Sequence, residues 1–381
     1  MKAEISPSPS RQVGGMQRFR LLVLAQTPPP AHGQSLMQQY LVSADWTWCS
    51  MTHVRLRFSR DLEEIGRFSV RKILHLFAVV SRCWRARLSG PFDILYYPPA
   101  GPNRIPFLRD VVTLILTRWT ARRLVLHCHA GGLDRLQAGL SRPEKMLARV
   151  AYGNAALAIV PASLQQGEVE WLCPRSIVTI ANGVPDVPPH PVDPGSAPRR
   201  TILFVGSLTR EKGVMVLLQA VRRLADAGRR PDAVLAGGFR SSRFRNEVLA
   251  YIDAGGLGSA VRLAGILGQE DLRTEYERAG IFCFPTEEAE GMPSVLLEAM
   301  RAALPIVTTR WRSIPEIVGP AAVLVPPGDP AALSTALGTL LDADEQRRAL
   351  GREGRKRYEM HFTLTRHLAQ MEKALLRVAA S

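Results

Sequence analysis

The sequence is poor in cysteine and has no long apolar run. Its five cysteines are scattered over 381 residues without a Cys-x-x-Cys pair. This pattern argues against a disulfide scaffold and a zinc site, and it favours a reducing compartment. No apolar run approaches the ~20 residues that a membrane-spanning helix needs, and the amino terminus lacks the apolar core of a signal peptide. The sequence therefore predicts a cytoplasmic protein without a membrane span.

Acidic residues are also scarce. The chain has 49 Lys and Arg against 34 Asp and Glu, a formal charge of +15. Residues 1–186 hold 23 basic and 12 acidic residues, whereas residues 187–381 hold 26 and 22. An excess of this size predicts an anionic partner. Since no helix-turn-helix, RNA-binding or zinc-finger signature is present, nucleic acid is not the expected partner.

The length suits two domains of the α/β class. We predict a disordered extension over residues 1–15, with Met16 as an alternative start, and a first domain over residues 16–186. A proline-rich linker over residues 187–199 precedes a second domain over residues 200–360, and residues 361–381 form a helix expected to pack back on the first domain. Ligands of parallel sheets bind outside the carboxyl ends of the strands, so a cleft between the domains is the expected site.

Short apolar runs alternate with helical stretches in both domains. The predicted strands are Phe19–Ala25, Ile94–Tyr97, Leu124–His127, Leu157–Val160, Ile177–Ile180, Thr201–Val205, Ala233–Ala236, Val261–Ala264, Ile281–Phe284, Ile306–Thr308 and Val323–Val325. This alternation indicates parallel sheets with crossover helices.

Three segments carry residues suited to chemistry. In the first, a strand is followed by Gly206, by the cations Arg210 and Lys212, and by a helix start. Such a turn offers backbone amides, positive charge and a helix amino terminus to a phosphate. An ordinary strand-to-helix turn with solvated cations has the same sequence.

In the second segment, Glu290 lies on a loop and Glu298 lies inside the helix that follows. Pro293 suits the first turn of that helix, so Gly291 and Met292 offer free amides just before it. Two carboxylates facing one pocket would suit the hydroxyl pairs of a ribose or hexose. Alternatively, Glu290 caps the helix and Glu298 is a surface charge, although the apolar neighbours of Glu298 disfavour a solvated face.

The third segment is His127-Cys128-His129 at the end of a strand of the first domain. Side chains alternate along a strand, so only one histidine can face a ligand, and His129 is nearer the loop. No carboxylate or thiol stands at a spacing that would complete a metal site. A structural histidine remains the alternative.

In this order and at these spacings, the three segments resemble the family 4 retaining glycosyltransferases, which have the GT-B fold of two Rossmann-like domains with parallel sheets facing an interdomain cleft. The resemblance runs from about Phe19 to about Arg377 and is strongest over residues 201–329. Its most specific part is Glu290-x7-Glu298 within EGMPSVLLEAMRAALPIVTT.

The resemblance implies a role for each matching residue. Glu298 would hold the ribose of a nucleotide donor, and Glu290 would contact hydroxyls of the transferred sugar. Lys212, with Arg210, would neutralise the diphosphate leaving group without a metal, and His129 would lie beside the sugar. The remaining donor-binding positions are Gly33, Gly206, Gly291, Met292 and Ser294. No cofactor is implied beyond the nucleotide-diphosphate sugar itself, which is a substrate.

The chain departs from the family pattern at four places. Pro293 stands where many members have Gly, and Gly237-Gly238-Phe239 replaces a more polar turn near the expected base site. The other two departures concern the donor directly. Ser207 stands where the family usually has an arginine, and Arg210 is the candidate to replace that charge. Trp311-Arg312-Ser313 stands where a Gly-Gly pair usually precedes Ile-Pro-Glu. Both departures bear on how the donor is held.

Two stretches of the first domain are basic and amphipathic. Residues 68–88 hold five Lys and Arg and no acid, with Ile73, Phe77, Val80 and Trp84 at helical spacing. Residues 104–123 hold five Arg and one Asp, with a second apolar stripe from Ile105 to Trp119. Either these stripes pack on the sheet, or they contact an anionic membrane surface.

We therefore expect a hexosyltransferase on the inner face of the cell membrane that uses a lipid-linked or polysaccharide-precursor acceptor. A sugar-nucleotide epimerase of the same fold is one alternative. A non-catalytic, membrane-associated scaffold on a degenerate transferase fold is another. The donor base, the sugar, the acceptor, the linkage and the oligomeric state are left open by the sequence.

Overall fold

The computed structural model describes residues 18–29, 33–56, 70–187, 200–229 and 231–381, with the backbone alone for residues 70–73. The predicted extension over residues 1–15 lies outside the described residues, as does nearly all of the predicted linker. The chain divides into two compact units. Unit 1 comprises the described residues up to Asn182 together with Glu290–Met292 and Thr365–Ser381, and unit 2 comprises Gly183–Ala289 and Pro293–Leu364.

Unit 1 is built from alternating strands and helices. Its elements are β1 (Phe19–Ala25), α1 (Gly33–Ser43), β2 (Cys49–Arg55), α2 (Val70–Arg87), β3 (Phe92–Tyr97), α3 (Arg104–Thr117), β4 (Ala121–His127), α4 (Leu133–Gly139), α5 (Arg142–Tyr152), β5 (Leu157–Val160), α6 (Gln165–Val169), β6 (Ile177–Thr179) and, at the end of the chain, α14 (Leu364–Ala380). The described strands form one parallel sheet in the order β2-β1-β3-β4-β5-β6.

The apolar strands of unit 1 are buried on both faces, as their continuous apolar sequences predict. One face packs against α2, α3 and α5, and the other packs against α1 and α14. Strand β2 is different, because its sequence, CSMTHVR, is polar and its side chains are mostly half-buried. It pairs only with β1 at the sheet edge, so an apolar run was not required there. This strand was not predicted.

Unit 2 repeats the architecture. Its elements are β7 (Thr201–Val205), α7 (Val214–Asp226), β8 (Asp232–Ala236), α8 (Ser242–Ala254), β9 (Val261–Gly265), α9 (Gln269–Arg278), β10 (Ile281–Phe284), α10 (Ser294–Arg301), β11 (Ile306–Thr309), α11 (Ile314–Val318), β12 (Ala322–Val325), α12 (Pro330–Asp342) and α13 (Asp344–His361). The predicted strands of this half agree with these bounds to within one residue at either end.

The strand order of unit 2 locates its ligand crevice. The order β9-β8-β7-β10-β11-β12 places the first strand of the unit beside the fourth, which is the dinucleotide-binding order of doubly wound sheets. At this point the connections leave β7 and β10 in opposite directions and open a crevice at the strand ends. The turn after Val205 and the loop after Phe284 therefore border the natural binding position of unit 2.

Helix α14 contributes to the core of unit 1. Met371 and Leu375 are fully buried among Leu21, Val23 and Ile94 of the sheet. The Arg123 side chain of β4 donates to the carbonyl of Ala379, 3.4 Å away. The last residues of the chain thus complete a layer that begins with the first strand.

We expect Leu375→Ala to destabilise unit 1 by about 2–5 kcal/mol, because it opens a cavity in a closed core. Urea denaturation followed by fluorescence of the unit 1 tryptophans measures the loss. The exposed neighbour Lys373 provides the control, since Lys373→Ala should change stability by less than about 0.5 kcal/mol. Equal effects of the two substitutions would show that α14 is not part of the cooperative core.

Candidate functional site

The turn after β7 is fitted closely to the end of β10. Gly213, the residue before α7, has φ +77°, and a Cβ atom there would lie 2.0 Å from the carbonyl oxygen of Pro285. Only glycine satisfies both conditions. The amide of Glu287 also donates to the carbonyl of Glu211, at 2.7 Å. The two loops that border the crevice of unit 2 are therefore in contact, with the amino terminus of α7 beside them.

Lys212 lies at this junction. Its Nζ atom is 2.9 Å from Oε2 of Glu288, and its side chain is 12% exposed. The ammonium also lies 5.5 Å from the ring centroid of Phe284, the last residue of β10. A largely buried cation next to the first turn of a helix is a suitable position for a phosphate.

Arg210 has a different environment. Its guanidinium pairs with Glu247 and lies 5.4 Å from the ring centroid of Phe244, both on α8. The side chain is 59% exposed. The structure thus places Arg210 against α8, whereas the sequence predicted that it would act with Lys212.

Glu298 lies in the second turn of α10, which begins at Ser294 after Pro293. The hydroxyl of Tyr276 in α9 donates to Oε2 of Glu298, at 2.9 Å. Burial raises the pKa of Glu298, and the Tyr276 bond and the nearby Arg301 oppose that shift. The surface-charge alternative for Glu298 is therefore disfavoured, because the residue is only partly exposed and its carboxylate accepts from a specific donor.

His129 lies in unit 1, just beyond β4, and is 8% exposed. Its Nε2 atom is 2.6 Å from the amide nitrogen of Gln38 in α1. Its ring centroid is 4.0 Å from that of His127, whose Nδ1 is 2.6 Å from the hydroxyl of Tyr96. Burial lowers the pKa of His127 well below its usual range, and His129 and His367 lower it further. The neutral form of His127 is thus favoured, and its ring packs against that of His129.

The segment Glu290–Met292 groups with His129 in unit 1. Glu290 forms an antiparallel bridge with Ala130. A Cβ atom on Gly291 would lie 2.1 Å from the carbonyl oxygen of His129, so this residue permits the close approach. The backbone of Met292 accepts from the side-chain amide of Asn182, at 3.4 Å. Although Glu290 and Glu298 are eight residues apart in sequence, Glu290 groups with unit 1 and Glu298 belongs to unit 2.

Gly33 begins α1. Of the glycine loop predicted around it, residues 30–32 lie outside the described residues. The side-chain amide of Gln34 donates to the carbonyl of Pro99, at 3.4 Å, which links the start of α1 to the loop after β3. Gly206, the first residue after β7, has φ +150° and lies against Phe204 and Phe284.

Four supporting residues were missed by the sequence analysis. Gln38 and Tyr276 contact predicted site residues, as described above, and Glu288 pairs with Lys212. Glu168 accepts from the amides of Gly132 and Leu133, at 2.6 and 3.3 Å, and so fixes the loop that follows His129. Only the position of Glu288 beside Glu290 gave a signal in the sequence, since the other three are distant from the motifs.

The expected lack of an Asp-x-Asp sequence, which would have agreed with metal independence, is wrong, because the chain carries Asp342-Ala343-Asp344. Asp342 pairs with Arg229 at 2.7 Å and with Arg200 at 3.7 Å, and Asp344 pairs with Arg347. Asp342 ends α12 and Asp344 begins α13, so these carboxylates lie at the junction of the two helices and pair with arginines there. Within the described ranges, no three His, Cys, Asp or Glu residues are grouped so that they could hold a metal ion.

Comparison with known proteins agrees with this geometry. Residues 199–343 match the family model described as glycosyl transferases group 1. The chain is 28% identical over 293 residues to an MMP alpha-(1->4)-mannosyltransferase of Mycolicibacterium hassiacum, covering 74% of this chain and 67% of the relative. It is 27% identical over 309 residues to a phosphatidyl-myo-inositol mannosyltransferase of Mycobacterium leprae, covering 76% of each. By this match, residues 199–343 form a domain of the group 1 glycosyltransferase type.

Solved structures have the same fold. Sucrose-phosphate synthase from Thermosynechococcus elongatus superimposes with a TM-score of 0.71 at 19% identity, covering 96% of this chain and all of that one. HepE from Anabaena, solved in complex with UDP, gives 0.71 at 18% identity, covering 94% and 100%. The predicted GT-B fold is thus confirmed. Across the part of the chain that the structure describes, no helix is both long and apolar enough to cross a bilayer.

The raised pKa of Glu298 predicts a pH-dependent effect of Glu298→Gln. A carboxyl whose pKa is higher in the folded state than in the unfolded state stabilises the fold at low pH, and that contribution is lost as pH rises through the folded pKa. Ionised Glu298 therefore costs stability at neutral pH, and the glutamine variant should be more stable than the wild type there. Urea denaturation at a series of pH values should show that the stability difference between the variant and the wild type shrinks as the pH falls toward the ordinary carboxyl pKa range.

The exposed Glu345 supplies the control for this measurement, since Glu345→Gln removes the same charge without a burial cost. A Glu298→Gln variant that is less stable than the wild type at neutral pH would contradict the assignment of a destabilising buried charge.

Proposed function

We propose that this glycosyltransferase moves a hexose-type sugar from a nucleotide-diphosphate donor to a lipid-linked or polysaccharide-precursor acceptor at a membrane, with retention of the anomeric configuration. The observation that carries the proposal is the position of Lys212 and the amino terminus of α7 at the crevice between β7 and β10. That position is where a doubly wound sheet of this order binds the phosphates of a nucleotide.

The donor is assigned to unit 2. Lys212 and the first amides of α7 bind the diphosphate, and Gly206 allows its approach to the backbone. The Glu298 carboxylate accepts from the two ribose hydroxyls, while Tyr276 holds its other oxygen. HepE, a structural neighbour with the same fold, was solved with UDP, which supports a nucleoside diphosphate as the ligand class. Arg210 joins the diphosphate only by leaving Glu247.

The acceptor class is suggested by the relatives. The mycobacterial relative is named as a phosphatidyl-myo-inositol mannosyltransferase. Another relative, 31% identical over 147 residues, is an O-antigen chain mannosyltransferase of Escherichia coli. Both names describe acceptors built on a lipid or a surface polysaccharide. A comparable acceptor for this chain agrees with the basic helices of unit 1.

In the proposed reaction, the bond between the anomeric carbon and the diphosphate oxygen breaks as the acceptor oxygen attacks from the same face. The acceptor proton passes to the departing phosphate oxygen. Lys212 and the helix amides stabilise the charge that develops on the leaving group, so that no metal is required. Glu290, together with the amides of Gly291, Met292 and Ser294, binds hydroxyls and phosphate of the donor, and His129 lies beside the transferred sugar.

We expect the wild-type enzyme to form a product of retained anomeric configuration in the presence of EDTA. Lys212→Ala should reduce transfer by about 10²–10³-fold, because the leaving-group charge loses its main partner. Incubation with a panel of nucleotide sugars and a membrane extract, followed by NMR of the product anomer, measures both outcomes.

Lys356→Ala is the matched control in unit 2, since Lys356 is exposed on α13. Full activity of Lys212→Ala would overturn the diphosphate assignment. Loss of wild-type activity in EDTA would overturn metal independence, and an inverted product would overturn retention. Conversion of a nucleotide sugar without any acceptor would instead identify an epimerase.

Unit 1 presents an exposed apolar surface, which we call the basic-apolar face, on α2, α3 and α5. Its exposed side chains are Leu74, Phe77, Trp84, Leu88, Ile105, Val112, Leu116, Trp119, Met146, Leu147 and Val150. Only four other large apolar side chains are exposed among the described residues. A contiguous apolar surface of this kind marks an interaction site. The alternative that the apolar stripes pack on the sheet holds for Leu108 and Ile115, which contact the core. It does not hold for the exposed side chains of this face.

The three helices are joined laterally. The indole of Trp84 in α2 donates to the carbonyl of Leu116 in α3, at 3.0 Å. The Arg118 guanidinium, just after α3, donates to the carbonyls of Ala151 and Gly153 at the end of α5, at 3.1 and 3.0 Å. The basic-apolar face is therefore one surface rather than three separate stripes.

Charge identifies the partner of this face. Helix α2 contains no acid, and the single acids of α3 and α5 are both engaged. Asp110 is buried against Arg109, and Glu144 pairs with Arg104, which holds the pKa of Glu144 at about 2. Each exposed Lys or Arg contributes about 1 kcal/mol of attraction to an anionic leaflet. We propose that this face binds the anionic membrane surface that carries the acceptor.

We expect the triple variant Trp119→Ser, Met146→Ser, Leu147→Ser to bind anionic phosphatidylglycerol vesicles at least about tenfold more weakly than the wild type, because it removes apolar area from the face. Co-sedimentation with these vesicles and with neutral phosphatidylcholine vesicles measures binding. The control is Leu249→Ser, Ile266→Ser, Met360→Ser, which alters exposed apolar side chains of unit 2. Equal binding by the two triple variants would contradict the proposal.

A further inference from the structure

The cation assigned to the donor diphosphate already has an anionic partner. Nζ of Lys212 lies 2.9 Å from Oε2 of Glu288, and the lysine is largely buried whereas the glutamate is 36% exposed. Because Glu288 is the more exposed member of the pair, displacement would move its side chain rather than Lys212, although its Oε2 atom is buried while the pair is formed. The ion pair therefore occupies the position that the diphosphate is proposed to take.

The backbone of Glu288 is held from two sides. Its amide donates to the hydroxyl of Thr286, at 3.1 Å, and its carbonyl accepts from the indole nitrogen of Trp311, at 3.1 Å. The carbonyl of Thr286 in turn accepts from the buried hydroxyl of Thr309, the last residue of β11, at 2.6 Å. The acidic loop is thus held by Thr286 after β10, by Thr309 at the end of β11 and by Trp311 beyond it. These contacts keep the backbone of Glu288 beside Lys212.

Trp311 belongs to the triplet in which the sequence departs from the family pattern. Its indole gives that departure a structural role, because a Gly-Gly pair at this position has no side chain that reaches the carbonyl of Glu288. The loop that carries Trp311 and the Glu288 counter-ion are consequently parts of one arrangement.

A diphosphate bound to Lys212 would lie beside the Glu288 carboxylate, and like charges at such a separation repel strongly inside a protein. We propose that Glu288 is a resident counter-ion of Lys212 that the nucleotide diphosphate displaces on binding, and that its return to Lys212 speeds release of the nucleoside diphosphate product. This inference rests on the proposed assignment of Lys212 to the donor diphosphate. It adds a residue that sets donor affinity and product release.

The test compares Glu288→Gln with Glu287→Gln in the full chain. The two substitutions remove the same charge from adjacent residues, but Glu287 is exposed and its side chain does not face Lys212 in any described ion pair. Isothermal titration with UDP, GDP, ADP and inorganic pyrophosphate measures affinity, and stopped-flow displacement measures the release rate. Glu288→Gln should bind the preferred nucleoside diphosphate about tenfold more tightly and release it correspondingly more slowly. Glu287→Gln should change affinity less than about twofold.

A double-variant cycle establishes whether the effect passes through Lys212. In the Lys212→Ala background, Glu288→Gln should lose its effect on affinity, since the pair is already broken. Unchanged or weaker binding by Glu288→Gln overturns the inference, and weaker binding would mean that Glu288 orients Lys212 rather than competing for it. If neither the wild type nor Glu288→Gln binds any of the four probes, the donor assignment itself fails.

Discussion

The contact between the turn after β7 and the end of β10 is the constraint on which the candidate donor site depends. Without a Cβ atom at Gly213, the turn reaches the carbonyl of Pro285 and directs α7 toward the crevice. Lys212 owes its position to that contact, because it immediately precedes the glycine. The loop carrying Glu288 is placed by the same junction, since the amide of Glu287 bonds to Glu211. One close approach thus fixes the cation, its partner and the helix terminus together.

Much of the fold was predictable because burial on both faces of a parallel sheet requires continuous apolar strands. Phe19–Ala25, Leu157–Val160 and Ile281–Phe284 were predicted with the bounds that the structure gives. The edge strand Cys49–Arg55 was not, because a half-exposed strand tolerates polar residues and leaves no apolar signal. An apolar sequence pattern indicates burial and not hydrogen bonding, so it does not reveal a half-exposed edge strand.

The site was predictable to the extent that its residues are close in sequence. The glycine turn after β7 indicated Lys212 as a candidate, the spacing from Glu290 indicated Glu298, and the end of β4 indicated His129. Their partners come from remote segments, as Gln38 does for His129 and Tyr276 does for Glu298. The direction of a long side chain was not predictable either. Arg210 lies against α8 because an acid and an aromatic ring are available there, and neither is adjacent to it in sequence.

The position of α14 has a consequence for the synthesis of the chain. Strands β1 to β6 leave the ribosome early, but one face of their sheet lacks Met371 and Leu375 until the last residues are made. Most domains fold in the order in which they are translated. Here the second unit is complete first, since its described residues end at Leu364. One apolar face of the amino-terminal sheet therefore stays uncovered while nearly two hundred further residues are translated.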